Sequence, residues 1–331
     1  MDLHPSVSII IPVRNESATI GDAIRSALDQ DYSYILDVVV AFAPSGDTTA
    51  EVVERIAAAD NRVRVVDNPA GSTPAGLNAA IQASTGEVIV RCDAHSVLPP
   101  DYVSTAVSRL RETGAVNVGG VQAAIGSGTM QRAIAAAMSS SFGVGDARFH
   151  KGGPAGPVDT VYLGVFLRGA VEAAGLFDEN LGRNQDYELN HRLRSAGGVV
   201  YFDPGLVVEY RPRSTLGALW RQYYGYGRWK RIVVGLHPES LRWRQIVAPV
   251  FVVGLVASAV AAAFGLWKIA IAIPALYAAA NLAVAVVELV RRRDQAMLLL
   301  PVIFPTMHVA WGIGFLMPGH PKLAASGSSE S

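Results

Sequence analysis

This sequence predicts an α/β fold, a parallel sheet with helices on its faces, followed by helices that cross a membrane. Three observations carry that reading. Short β-branched runs alternate with amphipathic segments over residues 6–92. The clusters rich in Asn, Asp, Glu, Ser and His come after the runs, where an open α/β sheet places its ligands. Beyond about residue 240 the composition turns abruptly apolar, in three stretches of about 20 residues each.

The runs at 6–13, 36–41, 62–66 and 87–92 read as strands, and the amphipathic segments at 17–29, 48–59 and 75–83 as the intervening helices. The first strand ends in Pro12-Val13-Arg14-Asn15-Glu16, the second in Ala43-Pro44-Ser45-Gly46-Asp47 and the fourth in Asp93-Ala94-His95. In a parallel sheet these three loops converge on one cleft. Asp93 and His95 lie two positions apart on a strand end, so both point the same way and offer an oxygen and a nitrogen to one divalent cation, which in turn can hold a diphosphate. No Gly-x-Gly-x-x-Gly turn follows the first strand, which speaks against a nicotinamide or flavin oxidoreductase. From Gly119 the pattern becomes irregular and glycine-rich, and residues 151–157 read equally as a lid over a substrate or as an ordinary surface connection.

A second chemical motif, Gln185-Asp186-Tyr187-Glu188-Leu189-Asn190-His191-Arg192, reads as the start of a helix with Leu189 and Leu193 facing inward. Glu188 is assigned to the helix dipole. Asp186 is assigned to chemistry. When a hydroxyl attacks the anomeric carbon of a sugar diphosphate, a carboxylate base is needed on one side and positive charge by the leaving group on the other. Asp186 suits the first task and a cation at Asp93 and His95 the second. Because this arrangement needs no covalent intermediate, the sugar's configuration inverts.

These motifs resemble the family-2 glycosyltransferases, and more narrowly the membrane-bound glucosyltransferases of the succinoglycan exopolysaccharide type. The resemblance runs from about Ser6 to the end of the apolar part and includes Ser72-Thr73-Pro74-Ala75-Gly76-Leu77-Asn78, Asp159-Thr160-Val161-Tyr162-Leu163-Gly164 and Arg221-Gln222-Tyr223-Tyr224-Gly225-Tyr226-Gly227-Arg228-Trp229. It implies a GT-A fold, a nucleotide-diphosphate sugar donor, a Mn or Mg ion and inversion with Asp186 as general base. By the same resemblance Pro12, Arg14, Glu16, Asp47, Asn78 and Asp93 border the nucleotide, and Asp93 with His95 serves the metal. Tyr162, Gly164, Gln185, Arg192, Arg228 and Trp229 are then expected on the acceptor side. One departure stands out. The family's second strand usually ends in Asp-Asp-Gly-Ser-x-Asp-x-Thr, whereas here Phe42 and Ala43 replace the leading acids while Ser45, Asp47 and Thr49 match. His95 in place of a second Asp predicts a preference for Mn, since imidazole suits Mg poorly.

The chain has 331 residues, 28 basic and 28 acidic, so no nucleic-acid partner is expected from its charge. The lone Cys92 permits no intrachain disulfide. Residues 246–266, 269–290 and 296–316 are expected to span the membrane, with Trp267 and Lys268 outside and the Arg291-Arg292-Arg293 cluster inside. Met1 to Pro5 is short and polar, unlike a secretory signal, which puts the globular part in the cytosol. The segment 213–245, basic and rich in Trp and Tyr, suits the headgroup region and reads equally as an acceptor diphosphate site or a simple anchor. The expected organisation is therefore a catalytic domain at 1–212, an interfacial neck at 213–245, three membrane helices at 246–318 and a disordered tail at 319–331.

The reading is a membrane-anchored, cytosol-facing inverting glycosyltransferase that adds a sugar to a lipid-linked oligosaccharide or polyprenyl acceptor in surface glycan assembly. Alternatives are a processive synthase or a polyprenyl-phosphate glycosyltransferase and, from another class, an inactive nucleotide-sugar-binding scaffold subunit. Arg228 and Trp229 partly resemble the Gln-x-x-Arg-Trp motif of processive synthases, but the spacing from Gln222 is wrong. A transporter is disfavoured because the apolar stretches carry their charges near their ends.

Overall fold

The computed structural model describes residues 4–317, so the tail expected at 319–331 lies outside the described residues. Strands run at Val7–Val13 (β1), Ile35–Phe42 (β2), Val63–Asp67 (β3), Val88–Arg91 (β4), Asn117–Ala124 (β5), Gly156–Pro157 (β6), Tyr162–Leu167 (β7) and Val200–Tyr210 (β8). Helices Ile20–Leu28 (α1), Thr49–Ala59 (α2), Thr73–Ala83 (α3) and Tyr102–Thr113 (α4) alternate with the first strands. They are followed by Thr129–Met138 (α5), Ser141–Val144 (α6), Arg148–Lys151 (α7), Arg168–Ala173 (α8) and Gln185–Ser195 (α9). The last four are Leu216–Leu236 (α10), Trp243–Ala263 (α11), Trp267–Arg292 (α12) and Leu300–Leu316 (α13). Contacts divide the described residues into two compact units, one of residues 4–123 with 152–209 and one of residues 124–151 with 210–317.

In the first unit the strands lie in the order β3-β2-β1-β4-β7-β5-β8-β6. β1 pairs in parallel with β2 and β4, and β2 with β3, as the alternating pattern predicts. Ile9, Ile10 and Ile11 are all fully buried because helices cover both faces, which is why this strand reads as a continuous apolar run. The sheet is not parallel throughout: β7 runs antiparallel to both β4 and β5. The glycine-rich stretch after residue 117, unreadable as a strand from its pattern, is β5. Its glycines are there for space, since a Cβ on Gly120 would lie 1.7 Å from the Leu206 carbonyl oxygen of β8.

The second unit gathers α5 to α7 with α10 to α13. The Ala- and Ile-rich face of α5 is buried in one apolar cluster with Met297, Leu300, Ile303, Phe304 and Met307. Arg132 of α5 reaches Asp294 at 2.8 Å, and His308 of α13 lies 2.8 Å from the Tyr277 hydroxyl and 2.9 Å from the Phe142 carbonyl oxygen. Thus residues 124–151, which the sequence reading placed inside the catalytic stretch, pack with the apolar helices. Helices α10 and α13 cross closely at glycines, a Cβ on Gly227 falling 2.1 Å from the Trp311 oxygen and one on Gly314 2.2 Å from that of Tyr224. Trp243–Ala263, Trp267–Arg292 and Gln295–Leu316 are long and apolar enough to cross a membrane.

Candidate active site

Two acids of the first unit's candidate site converge on Arg91. It is the last residue of β4, its backbone in register with Ile10 of β1, and its side chain is only 6% exposed. A guanidinium held that far from water must be met by carboxylates. Its Nε donates to Asp93 Oδ1 at 2.8 Å, and its Nη1 donates to Asp186 Oδ1. Asp93 follows two residues past the end of β4, close enough for this local pair. Asp186 arrives from the first turn of α9, entered through Asn184 in the left-handed region at φ +62°, which Asn tolerates better than most residues.

The two carboxylates on this one cation are pushed apart in acidity. Desolvation raises Asp186 above the ordinary carboxylate range, with Asp93 reinforcing it and Arg91 opposing. At Asp93 desolvation also pushes upward, but Arg91 and His95 outweigh it and hold the carboxyl below its ordinary value. Such a split assigns different tasks to neighbouring acids. Asp93 stays ionised, and Asp186 is the more proton-loving of the two.

His95, 46% exposed, sits with Nδ1 3.4 Å from Glu16 Oε1. The hydrogen bond with Glu16 raises the imidazole's pKa above its ordinary value, and burial works against that rise. Glu16 itself is lowered, because the bonds from His95 and Thr19 exceed the effect of desolvation. His95 and Glu16 thus bring a nitrogen and a carboxylate oxygen close together, and Asp93 has a second oxygen outside its pair with Arg91.

The first loop is braced from the second. Asn15, at φ +52°, donates its N–H to Ser45 Oγ at 3.0 Å and accepts from the Gly46 N–H at 2.8 Å. Asp47 accepts from Ser17 N, Thr49 N and the Thr49 hydroxyl, and that hydroxyl first of all lowers its carboxyl to about 2. Asp47 is therefore committed to loop geometry. Asn78 is likewise committed, donating to the Phe177 carbonyl and Glu179 and accepting from the Phe177 N–H. Arg192 is spread over Glu188 and the carbonyls of Ala174 and Leu176, so its role is to fasten α9 to the preceding turn. Each of these three side chains, expected at the nucleotide or acceptor, makes hydrogen bonds within the fold. Pro12 and Arg14 are half-buried beside the cleft, and the Arg14 guanidinium lies 3.5 Å from where a Cβ of Gly71 would stand. Ala43 is buried and Phe42 packs against the core, so neither takes the place of a missing acid.

Tyr162, at the start of β7, has its hydroxyl 3.4 Å from Ser96 Oγ, and burial keeps it protonated as a donor. The next residue, Leu163, adopts φ +45°, an uncommon state for a branched side chain, and its carbonyl accepts from the fully buried Tyr102 hydroxyl at 2.8 Å. Gly164 follows because a Cβ there would strike Phe166 at 2.4 Å. Gln185 is buried at the head of α9. Arg228 and Trp229 belong to α10 of the second unit, both half-buried. Sequence reasoning assigned no role to Arg91, Tyr102 or the Glu16–His95 pair. The signal for Arg91 was present: an arginine closing an apolar central strand needs acidic partners.

The model of the family described as glycosyl transferase family 2 matches residues 8–175. The chain is 30% identical over 309 residues to the succinoglycan biosynthesis protein ExoA of Rhizobium meliloti (strain 1021), covering 93% of each chain. It is 24% identical to a dolichyl N-acetyl-alpha-D-glucosaminyl phosphate 3-beta-D-2,3-diacetamido-2,3-dideoxy-beta-D-glucuronosyltransferase of Methanococcus voltae, over 72% of this chain and 76% of that one. Among solved structures, the mannosyltransferase PcManGT of Pyrobaculum calidifontis, in complex with GDP-Man and Mn2+, superposes with a TM-score of 0.61 at 18% identity, over 95% of this chain and 87% of that one. TarS of S. aureus matches with a TM-score of 0.50 at 15% identity, over 69% and 39% of the two chains. With the matched region centred on the sheet that carries Arg91, Asp93 and His95, the chain belongs to glycosyl transferase family 2, and it is a glycosyltransferase.

Proposed function

We propose that the protein is an inverting glycosyltransferase that moves one sugar from a nucleotide-diphosphate donor to a lipid-linked oligosaccharide or polyprenyl acceptor in surface glycan assembly. The observation that carries this reading is the convergence of Asp93 and Asp186, from opposite halves of the sheet, on the buried Arg91. Asp93 and His95, with Glu16 beside them, are the residues to hold a divalent cation, whose chemistry when bound is to neutralise charge on the departing diphosphate. Asp186 takes the proton of the acceptor hydroxyl as that oxygen bonds to the anomeric carbon. The bond to the diphosphate oxygen breaks with its electron pair, and the configuration inverts. Pro12 and Arg14 border the donor, Tyr162 and Gly164 wall the acceptor side, and Gln185 seats Asp186 at the helix start. Arg228 and Trp229 serve the acceptor from the neck.

Three helices long and apolar enough to cross a membrane, with exposed Trp243 and Trp267 at the starts of α11 and α12, support a multi-pass anchor. The arginine cluster at 291–293 favours a cytosolic catalytic unit. The relative ExoA and the dolichyl-linked transferase support a lipid-carried acceptor. The test is binding and slow hydrolysis of a panel of UDP-, GDP- and dTDP-sugars by the detergent-purified protein, with Mn and with Mg. One donor stabilising the fold in a metal-dependent way, with Mn preferred, is the expected result. Equal turnover with the two ions counts against a ligand role for His95, and no binding at all counts against the transferase mechanism.

A further inference from the structure

Arg91 is too deeply placed to touch a sugar or a diphosphate, with 6% of its side chain exposed, yet it holds both acids of the site. A guanidinium is a rigid planar fork, and here two different nitrogens serve two different carboxylates: Nε serves Asp93 Oδ1, and Nη1 serves Asp186 Oδ1. Its plane fixes the spacing of one carboxylate from the other, and its charge permits two acids to share a small volume that they would otherwise resist sharing. The two residues stand 95 apart from Arg91 and two apart from it in sequence, so no backbone element links them locally. We infer that Arg91 is a positioning residue for transfer: it clamps one oxygen of Asp186, so that the remaining oxygen is aimed at the acceptor hydroxyl, and it registers that base against the donor-side Asp93. This rests on the reading of Asp186 as general base.

The inference distinguishes Arg91 from a cation that merely balances buried charge. A lysine in its place keeps the charge but has no fork and reaches one carboxylate at a time. In the full-length, detergent-solubilised protein, Arg91→Lys is expected to lower kcat about 10- to 100-fold while the donor KM stays within about threefold, because the loss falls on the transition state and not on uniform binding. The decisive readout is a double-mutant cycle with Asp186→Asn under single-turnover conditions. If Arg91 acts through Asp186, Arg91→Lys costs nothing further once the base is gone, to within about twofold. An equal loss in both backgrounds, or a kcat for Arg91→Lys within about twofold of the unmodified protein, overturns the inference. Should Arg91→Lys fail to fold, Arg91→Gln, uncharged but still a donor to a carboxylate, goes through the same cycle. Failure of both to fold overturns the inference as well, since Arg91 then serves the fold. Failure of the underlying reading is separately visible: Asp186→Asn alone then retains more than about a tenth of the rate.

Discussion

The two halves of the catalytic sheet solve the same problem by different means. In β1 to β4 the loops that reach the site are placed by backbone register, with parallel strands of which β1, β2 and β4 are buried on both faces, and loops that bond mainly to one another. In β5 to β8 the positions are set by buried polar side chains. Asn117 donates to Asn190 of α9 at 2.6 Å, and Asn190 donates to Thr160 at 2.9 Å. Tyr102 holds the strained Leu163, and Asn78 holds the turn at Phe177. A sheet register tolerates substitution so long as the residue remains apolar, whereas a buried hydrogen-bond network fails as a unit. The half that carries Asp186 should therefore be the more fragile.

Three predictions sharpen or break that contrast, from the largest effect down. The pH profile of kcat tests the second half most strongly. As the proposed base, Asp186 would work only when deprotonated, and its pKa is raised above the ordinary value of 3.8, so activity should fall about tenfold per pH unit on an acidic limb lying above 3.8. A limb at or below that value means that Asp186 is not the titrating base. Next, Asn190→Leu leaves the Asn117 amide and Thr160 hydroxyl without their partner and should cost about 2 kcal/mol, with a larger fall in kcat than in donor affinity. An apolar substitution on β1, Ile11→Val, should cost about 1 kcal/mol and leave kcat alone. Equal effects on kcat erase the contrast. The smallest effect belongs to Asp47. Its carboxyl is lowered to about 2, so its ionised form stabilises the fold above 3.8 and that contribution disappears as pH falls from 3.8 toward 2. Asp47→Asn should accordingly flatten acid unfolding in that window and leave neutral-pH activity little changed.

The same contrast explains what the sequence discloses. Strands β1, β2 and β4 are legible because burial on both faces forces β-branched runs, and the three apolar helices because they are long and apolar enough to cross a membrane. Asp93, His95 and Asp186 stand out in the sequence by their types at element ends, and the fold brings Asp93 and Asp186 together on Arg91. Strand β5 is not, since Gly119 and Gly120 answer to the close approach of Val161 and Leu206, which no local pattern records. Nor is the membership of residues 124–151 in the apolar unit, which depends on an alanine-rich face whose partner lies more than a hundred residues away. Asn78, Asp47 and Arg192 match the family's motifs by type and position, and their partners, backbone groups together with Glu179, Thr49 and Glu188, are brought in by folding.

The measurement that bears most directly on the account is a comparison of Asp186→Asn with the unmodified protein, reading donor binding and sugar transfer on the same preparation. The account predicts nearly unchanged metal-dependent donor binding and a loss of transfer of about 10²- to 10⁴-fold. Transfer retained above about a tenth of the original rate, with the donor still bound, would contradict the assignment of Asp186 as the base.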